Sequence, residues 1–307
     1  MAPSRRHVLG NLLGTGILAG IAGCSGFPFI GSDGSDWTDW LHEPEAARYL
    51  SAIGDAPVSF DFEYSEPATI LDHRSAIADV DGGTPALDRY EATHAPLGMD
   101  PASIDRWTET GSVVHGTNSL RAIRLRLIDG RFEREAIRRA FSGIDLPDHR
   151  GWERYANPDG TRAIGIDDRR IVIAEVLSGD RDALKRPIEG AVRRAIDVVE
   201  GNRPPSIEND RHARAVAASL NDPLHARGST RDEPFVREDG LRATGGGSVD
   251  PKDRQYRWVG VFENAEAIPT DDLRELLNAG FETWESVDRS GRVLTVTGRV
   301  PPELWLG

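Results

Sequence analysis

Cys24 is the single cysteine in a chain of 307 residues. A lone thiol can serve as a nucleophile or a point of covalent attachment, but it can neither close an intramolecular disulfide nor build a multi-cysteine metal site. The other residues able to do chemistry are dispersed. His42, His73, His94, His115, His149, His212 and His225 stand singly, with no pair at helical metal-ligand spacing. Asp72-His73 and Asp148-His149 are adjacent pairs. Neighbours on a chain usually point apart, so each reads as a surface loop pair rather than an acid–base dyad. Asp79-Val80-Asp81-Gly82 begins like a calcium loop, yet Tyr90 stands at the twelfth position, where a bidentate Glu belongs. Arg124 and Arg126 share one face of a strand and have the chemistry to clamp an anion; the simpler reading in an Arg-biased chain is a solvated face. No Gly-x-Ser-x-Gly elbow and no phosphate loop occurs. The pattern designates no catalytic residue, no metal ligand and no cofactor.

The segment that ends at Cys24 is more specific. Ser4-Arg5-Arg6-His7-Val8-Leu9 resembles the twin-arginine export signal, with Val8 where that family usually has Phe. An apolar run from Val8 to Ala22 follows, interrupted by Gly10, Gly14, Gly16 and Gly20. At about 15 residues it is too short for a hydrocarbon core that needs about 20 helical residues, and it fits a cleaved targeting segment better than an anchor. Ile21-Ala22-Gly23-Cys24 then matches the lipoprotein box: small residues admit a peptidase to the backbone, and the Cys24 thiol becomes the site of lipid attachment. Within this leader, Gly14-Thr15-Gly16-Ile17-Leu18-Ala19 imitates the glycine fingerprint of dinucleotide-binding folds. It lacks the preceding strand that such a fingerprint requires, and we reject it.

Composition agrees with export. The formal charge is −13, and the leader contributes Arg5 and Arg6 but no acid, so its removal leaves a still more acidic chain. Such acidity argues against a nucleic-acid partner. Lys185 and Lys252 are the only lysines among 37 basic residues. This bias resembles proteins of salt-loving archaea, whose acidic surfaces stay hydrated in a medium with a Debye length of ~3 Å or less. The alternative, an acidic face for a cationic ligand, is disfavoured by the even spread of the acids.

The elements that must position any site follow in order. Residues 24–54 comprise the lipidated Cys, a Gly- and Ser-rich tether and a first helix on which Trp37, Trp40, Leu41 and Ala47 share a face. Residues 55–221 form an α+β domain with two β/α units. Val58 to Tyr64 alternates as a half-buried strand, a helix begins near Pro85, and a second strand falls within Asp105 to His115. Leu120 to Ile128 alternates again and is followed by a helix over Glu133 to Ser142. Ala163 to Val176 reads as a hairpin, and a long amphipathic helix through Val199 ends at Gly201. Pro187 marks a kink or a late start of that helix. Residues 222–253, polar and carrying Gly245-Gly246-Gly247, read as a long loop or linker. Residues 254–307 supply a third unit packed on the main domain, with a strand at Tyr256 to Phe262, a helix from Thr270 to Gly280 and a hairpin from Thr283 to Thr297. The repeating order predicts an α+β fold of ferredoxin-like βαββ modules, mainly antiparallel, with helices on one face.

Taken together, the leader, the Leu97 to Asp100 turn, the Ala163 to Val176 hairpin with its helix, and the strand Gly291 to Gly298 resemble a group of uncharacterised twin-arginine-exported lipoproteins of salt-loving archaea. That group has no assigned activity, so the resemblance implies compartment and architecture alone. The expected protein is anchored to the outer face of the cell membrane by lipid on Cys24, with a non-catalytic role in binding an envelope protein or a small ligand. An exported hydrolase with a site assembled from distant residues is the alternative.

Overall fold

The computed structural model of the chain describes residues 58–115, 120–178, 181–203, 211–220, 222–231, 240–250, 253–269 and 280–306. The chain runs through β1 (Val58–Ser65), α1 (Pro67–Asp72), α2 (Arg74–Ala78), α3 (Gly83–Thr93), β2 (Ile104–His115) and β3 (Leu120–Gly130). Next come α4 (Arg134–Phe141), β4 (Ile144–His149), β5 (Trp152–Ala156), β6 (Arg162–Ile166), β7 (Arg170–Ser178) and α5 (Arg181–Val199). It closes with α6 (Arg211–Leu220), β8 (His225–Arg231), β9 (Leu241–Asp250), β10 (Gln255–Phe262), β11 (Thr283–Ser290), β12 (Val293–Arg299) and α7 (Pro302–Trp305). These elements divide into two compact units, one from residues 58–71 and 93–203, the other from 72–92 and 211–306.

The first unit is built on strands in the order β1-β2-β3-β7-β6-β5-β4, with antiparallel neighbours throughout. Strand β7 shows why. Ile171, Val172, Ile173 and Ala174 are all buried, a continuous apolar run that only a strand covered on both faces can hide. One face receives α5, whose Ile188, Ala191, Val192, Ala195 and Ile196 pack on Ile123, Leu125, Val172 and Ala174. The other receives α4, whose Ile137 and Phe141 pack on Ile128, Ile164, Ile166, Ile171 and Ile173. Each fully buried side chain of this kind contributes ~1.5–3 kcal/mol. Helix α5 passes through position 187 and stops before Gly201, whose φ of 68° no β-carbon has to tolerate.

Ferredoxin-like βαββ modules with helices on one face are therefore not the fold. β1, β2 and β3 follow one another as neighbours, as do β4 to β7, and helices cover both faces of the β7 region. Short turns put β4 to β7 side by side, and β1 pairs with β2 across α1, α2 and α3, so the strands and helices that were read correctly do not combine into the modules they implied. Strand β4 was not anticipated at all. Pro147 is tolerated because β4 is the outer strand of its unit, and the Pro147 carbonyl accepts Nε of the buried Arg154 at 2.8 Å.

The second unit has the order β11-β12-β10-β9-β8, again antiparallel. Here the loop or linker expected over 222–253 is overturned, since it contains β8 and β9 paired along their length. The glycines belong to the strand because α6 lies close: a β-carbon at Gly245 would run into Val216, and one at Gly246 into the Tyr256 hydroxyl. The hairpin β11–β12 and strand β10 stand where they were expected. The helix expected from Thr270 falls on residues outside the described set, as do the tether and first helix of 24–54.

Candidate functional site

Cross-strand register turns alternate residues of the first unit into rows on the face that α4 partly covers. Trp107, Ile128, Ile171 and Ile166 make an apolar row. The next row runs Glu63, Glu109, Arg126, Ile173, Ile164, and the one beyond it Asp61, Gly111, Arg124, Glu175, Arg162. One sheet face thus changes from a dry core to alternating charges within about two residue steps, ~7 Å along the strands.

Glu109 is the centre of the charged rows. Its carboxylate accepts Nε of Arg126 at 2.7 Å and Nε of Arg124 at 2.9 Å. Arg126 reaches on to Glu175 at 3.5 Å. Arg126 is only 15% exposed, against 23% for Glu109 and 31% for Arg124, so the solvated face expected for the two arginines is in fact half-buried. The Arg126 guanidinium lies 5.5 Å from the centre of the Trp107 ring. On that ring His94, almost fully buried, packs edge-on at 5.0 Å, with Nε2 3.6 Å from Glu63. Trp107 Nε1 is buried without a hydrogen-bond partner. At the far end of the outer row, Arg162 stands over Phe141 at 5.6 Å. Burial pulls its pKa down, countered by Glu175 and reinforced by Arg126. Chemically this is a preformed surface of fixed charges: both oxygens of Glu109 are engaged, which suits recognition better than proton transfer.

A second polar cluster joins the β4–β5 turn to α5. His149 Nε2 lies 2.9 Å from Asp197 Oδ1, an oxygen that also accepts Nε of Arg150. Burial would raise the Asp197 pKa, but the hydrogen bonds from Arg150 and His149 outweigh it and hold the carboxyl below its usual range. Asp148 is exposed, so the adjacent pair does not act together. Asp72 is likewise exposed, and His73 caps α2 without a side-chain bond. Tyr90 is core rather than ligand, packed edge-on to the buried His225 at 6.2 Å. Asp100 is spent on a local cap, accepting the Ala102 amide at 3.0 Å. Trp284 is exposed, whereas Trp258 is half-buried with its Nε1 enclosed. Arg5, Arg6, Ile21, Ala22, Gly23 and Cys24 lie outside the described residues.

Sequence reasoning had singled out Arg124 and Arg126 but missed Glu109, Glu175, Arg162 and Trp107. The alternation in each strand was visible; the register that stacks them into rows was not. No family model matches the chain, and no curated protein matches it either. Among solved structures it is similar to TP0453 in three crystal forms. Form III gives a TM-score of 0.42 at 9% identity, covering 89% of this chain and 96% of that one. Form I gives 0.40 at 8% identity over the same shares, and form IV 0.36 at 10% over 79% of this chain and 89% of that one. Among the described residues no helix is long and apolar enough to cross a membrane.

Proposed function

We propose that this chain is a lipid-anchored extracytoplasmic protein, exported through Arg5 and Arg6 and attached by Cys24 after removal of residues 1–23, with a non-catalytic binding role toward an envelope component or a small ligand. The observation that carries it is the order of paired arginines, short apolar run and Ile21-Ala22-Gly23-Cys24 within a single segment. The binding half of the reading draws support from the half-buried charged rows around Glu109, which offer fixed donors and acceptors on a rigid sheet. With β8 and β9 formed within 222–253, the charged face replaces the loop as the surface to test.

The test is intact mass and membrane partitioning of the native protein beside Cys24→Ser. Loss of residues 1–23, added lipid mass and membrane retention, all abolished in the variant, is the expected result. A wild-type chain that keeps its leader and carries no lipid overturns the anchored reading.

A further inference from the structure

Arg162 occupies a costly position that Glu175 and Phe141 only partly offset. Its Nε is buried with no hydrogen-bond partner, and it forms no ion pair among the described residues. Glu175 stands directly opposite in the register, yet its carboxylate leans to Arg126 at 3.5 Å. Arg162 as a whole is half-buried, but a donor shut off from water without an acceptor costs stability, and the ring of Phe141 at 5.6 Å returns only part of that cost. The same strand carries Ile164 and Ile166 on the same face, both fully buried, so an apolar residue at 162 would simply extend their stripe. Along its row the charges run Arg124, Glu175, Arg162, positive, negative, positive, and the series stops at a cation.

We propose that Arg162, backed by Phe141, is the recognition point for an oxyanion, a carboxylate or phosphate group carried by a small ligand. The planar guanidinium matches such a group with two parallel N–H donors, and Arg126 adds positive potential from the same face. A bound anion pairs with the outer nitrogens of the guanidinium and continues the alternation. A half-buried arginine with an enclosed, unpartnered Nε on an otherwise well-packed strand is the kind of local violation that functional sites carry. The proposal rests on the binding role assigned above but not on the lipid anchor.

Thermal unfolding of the full-length protein, titrated with inorganic phosphate or with acetate against chloride at constant ionic strength, tests it. Wild type is expected to show a saturable rise in Tm with at least one of the two anions, and the responding anion separates phosphate-bearing from carboxylate-bearing ligands. Arg162→Leu is expected to be more stable than wild type in chloride and to lose the response. Arg162→Lys, which keeps the charge but not the fork, is expected to bind at least about tenfold more weakly. No saturable response in wild type, an equal response in Arg162→Leu, or a less stable Arg162→Leu in chloride overturns the proposal. Each of those outcomes leaves the Cys24 mass and partitioning result untouched, so the two readings fail separately.

Discussion

Glu109→Leu is the most incisive perturbation of the charged rows. It removes the acceptor of Arg126 Nε at 2.7 Å and of Arg124 Nε at 2.9 Å in one step. Arg124, 31% exposed, can turn to water, so its loss falls near the ~0–1 kcal/mol of an exposed pair. Arg126, at 15% exposure, keeps only the 3.5 Å contact with Glu175, and its lost hydrogen bond is worth ~1.5–3 kcal/mol. The sum is about 3 kcal/mol, a fall of roughly 6–12 °C in Tm for a chain of this size. Glu109→Leu/Arg126→Met should recover at least half of it, because most of the loss is a stranded cation rather than a missing attraction. Urea denaturation followed by tryptophan fluorescence, at low salt and at about 1 M salt, reads both quantities. If the single variant lies within about 0.5 kcal/mol of wild type, or its deficit vanishes at high salt, the rows are a screened surface and the reasoning fails.

Three further outcomes follow from the same structure. Gly245→Ala should cost ~1–3 kcal/mol because its β-carbon meets Val216, and a variant as stable as wild type in the same denaturation assay would return 222–253 to a loop. Asp197 has a depressed pKa, so its contribution is present above the ordinary carboxylate value of ~3.9 and disappears as pH falls through the lower folded value. Asp197→Asn should accordingly be less stable than wild type at pH 7, with the two stability curves converging in acid; parallel curves refute this. Asp129 behaves in the opposite sense, since burial outweighs the Arg169 charge and raises its pKa. The stability it lends is full below ~3.9 and is lost as pH rises through the higher folded value, so Asp129→Asn should gain on wild type toward neutral pH, a trend the same pH series would expose.

How much of this was legible beforehand varies by element. Helix α5 was visible because Ile188, Val192 and Ile196 repeat at helical spacing, a signal carried entirely by near neighbours. The hairpin of β6 and β7 was visible for the same reason, through the short turn around Asp167. Strand β9 was not, because Gly245-Gly246-Gly247 is a turn-like composition until a helix and a tyrosine ring occupy the space the missing side chains leave. Strand β4 was hidden by Pro147, which only an outer strand accepts.

From sequence alone came the paired arginines, the short apolar run and the Ile21-Ala22-Gly23-Cys24 box on which the proposed export and lipidation rest, the acidic composition, and most strands and helices, since each depends on residue identity or on contacts a few positions apart. The tertiary structure decided which strands became neighbours, that both faces of β7 were covered, and that Glu109, Glu175 and Arg162 joined Arg124 and Arg126 in rows. Those residues lie up to 66 positions apart, and a one-residue slip in any pairing would have sent their side chains to the opposite face.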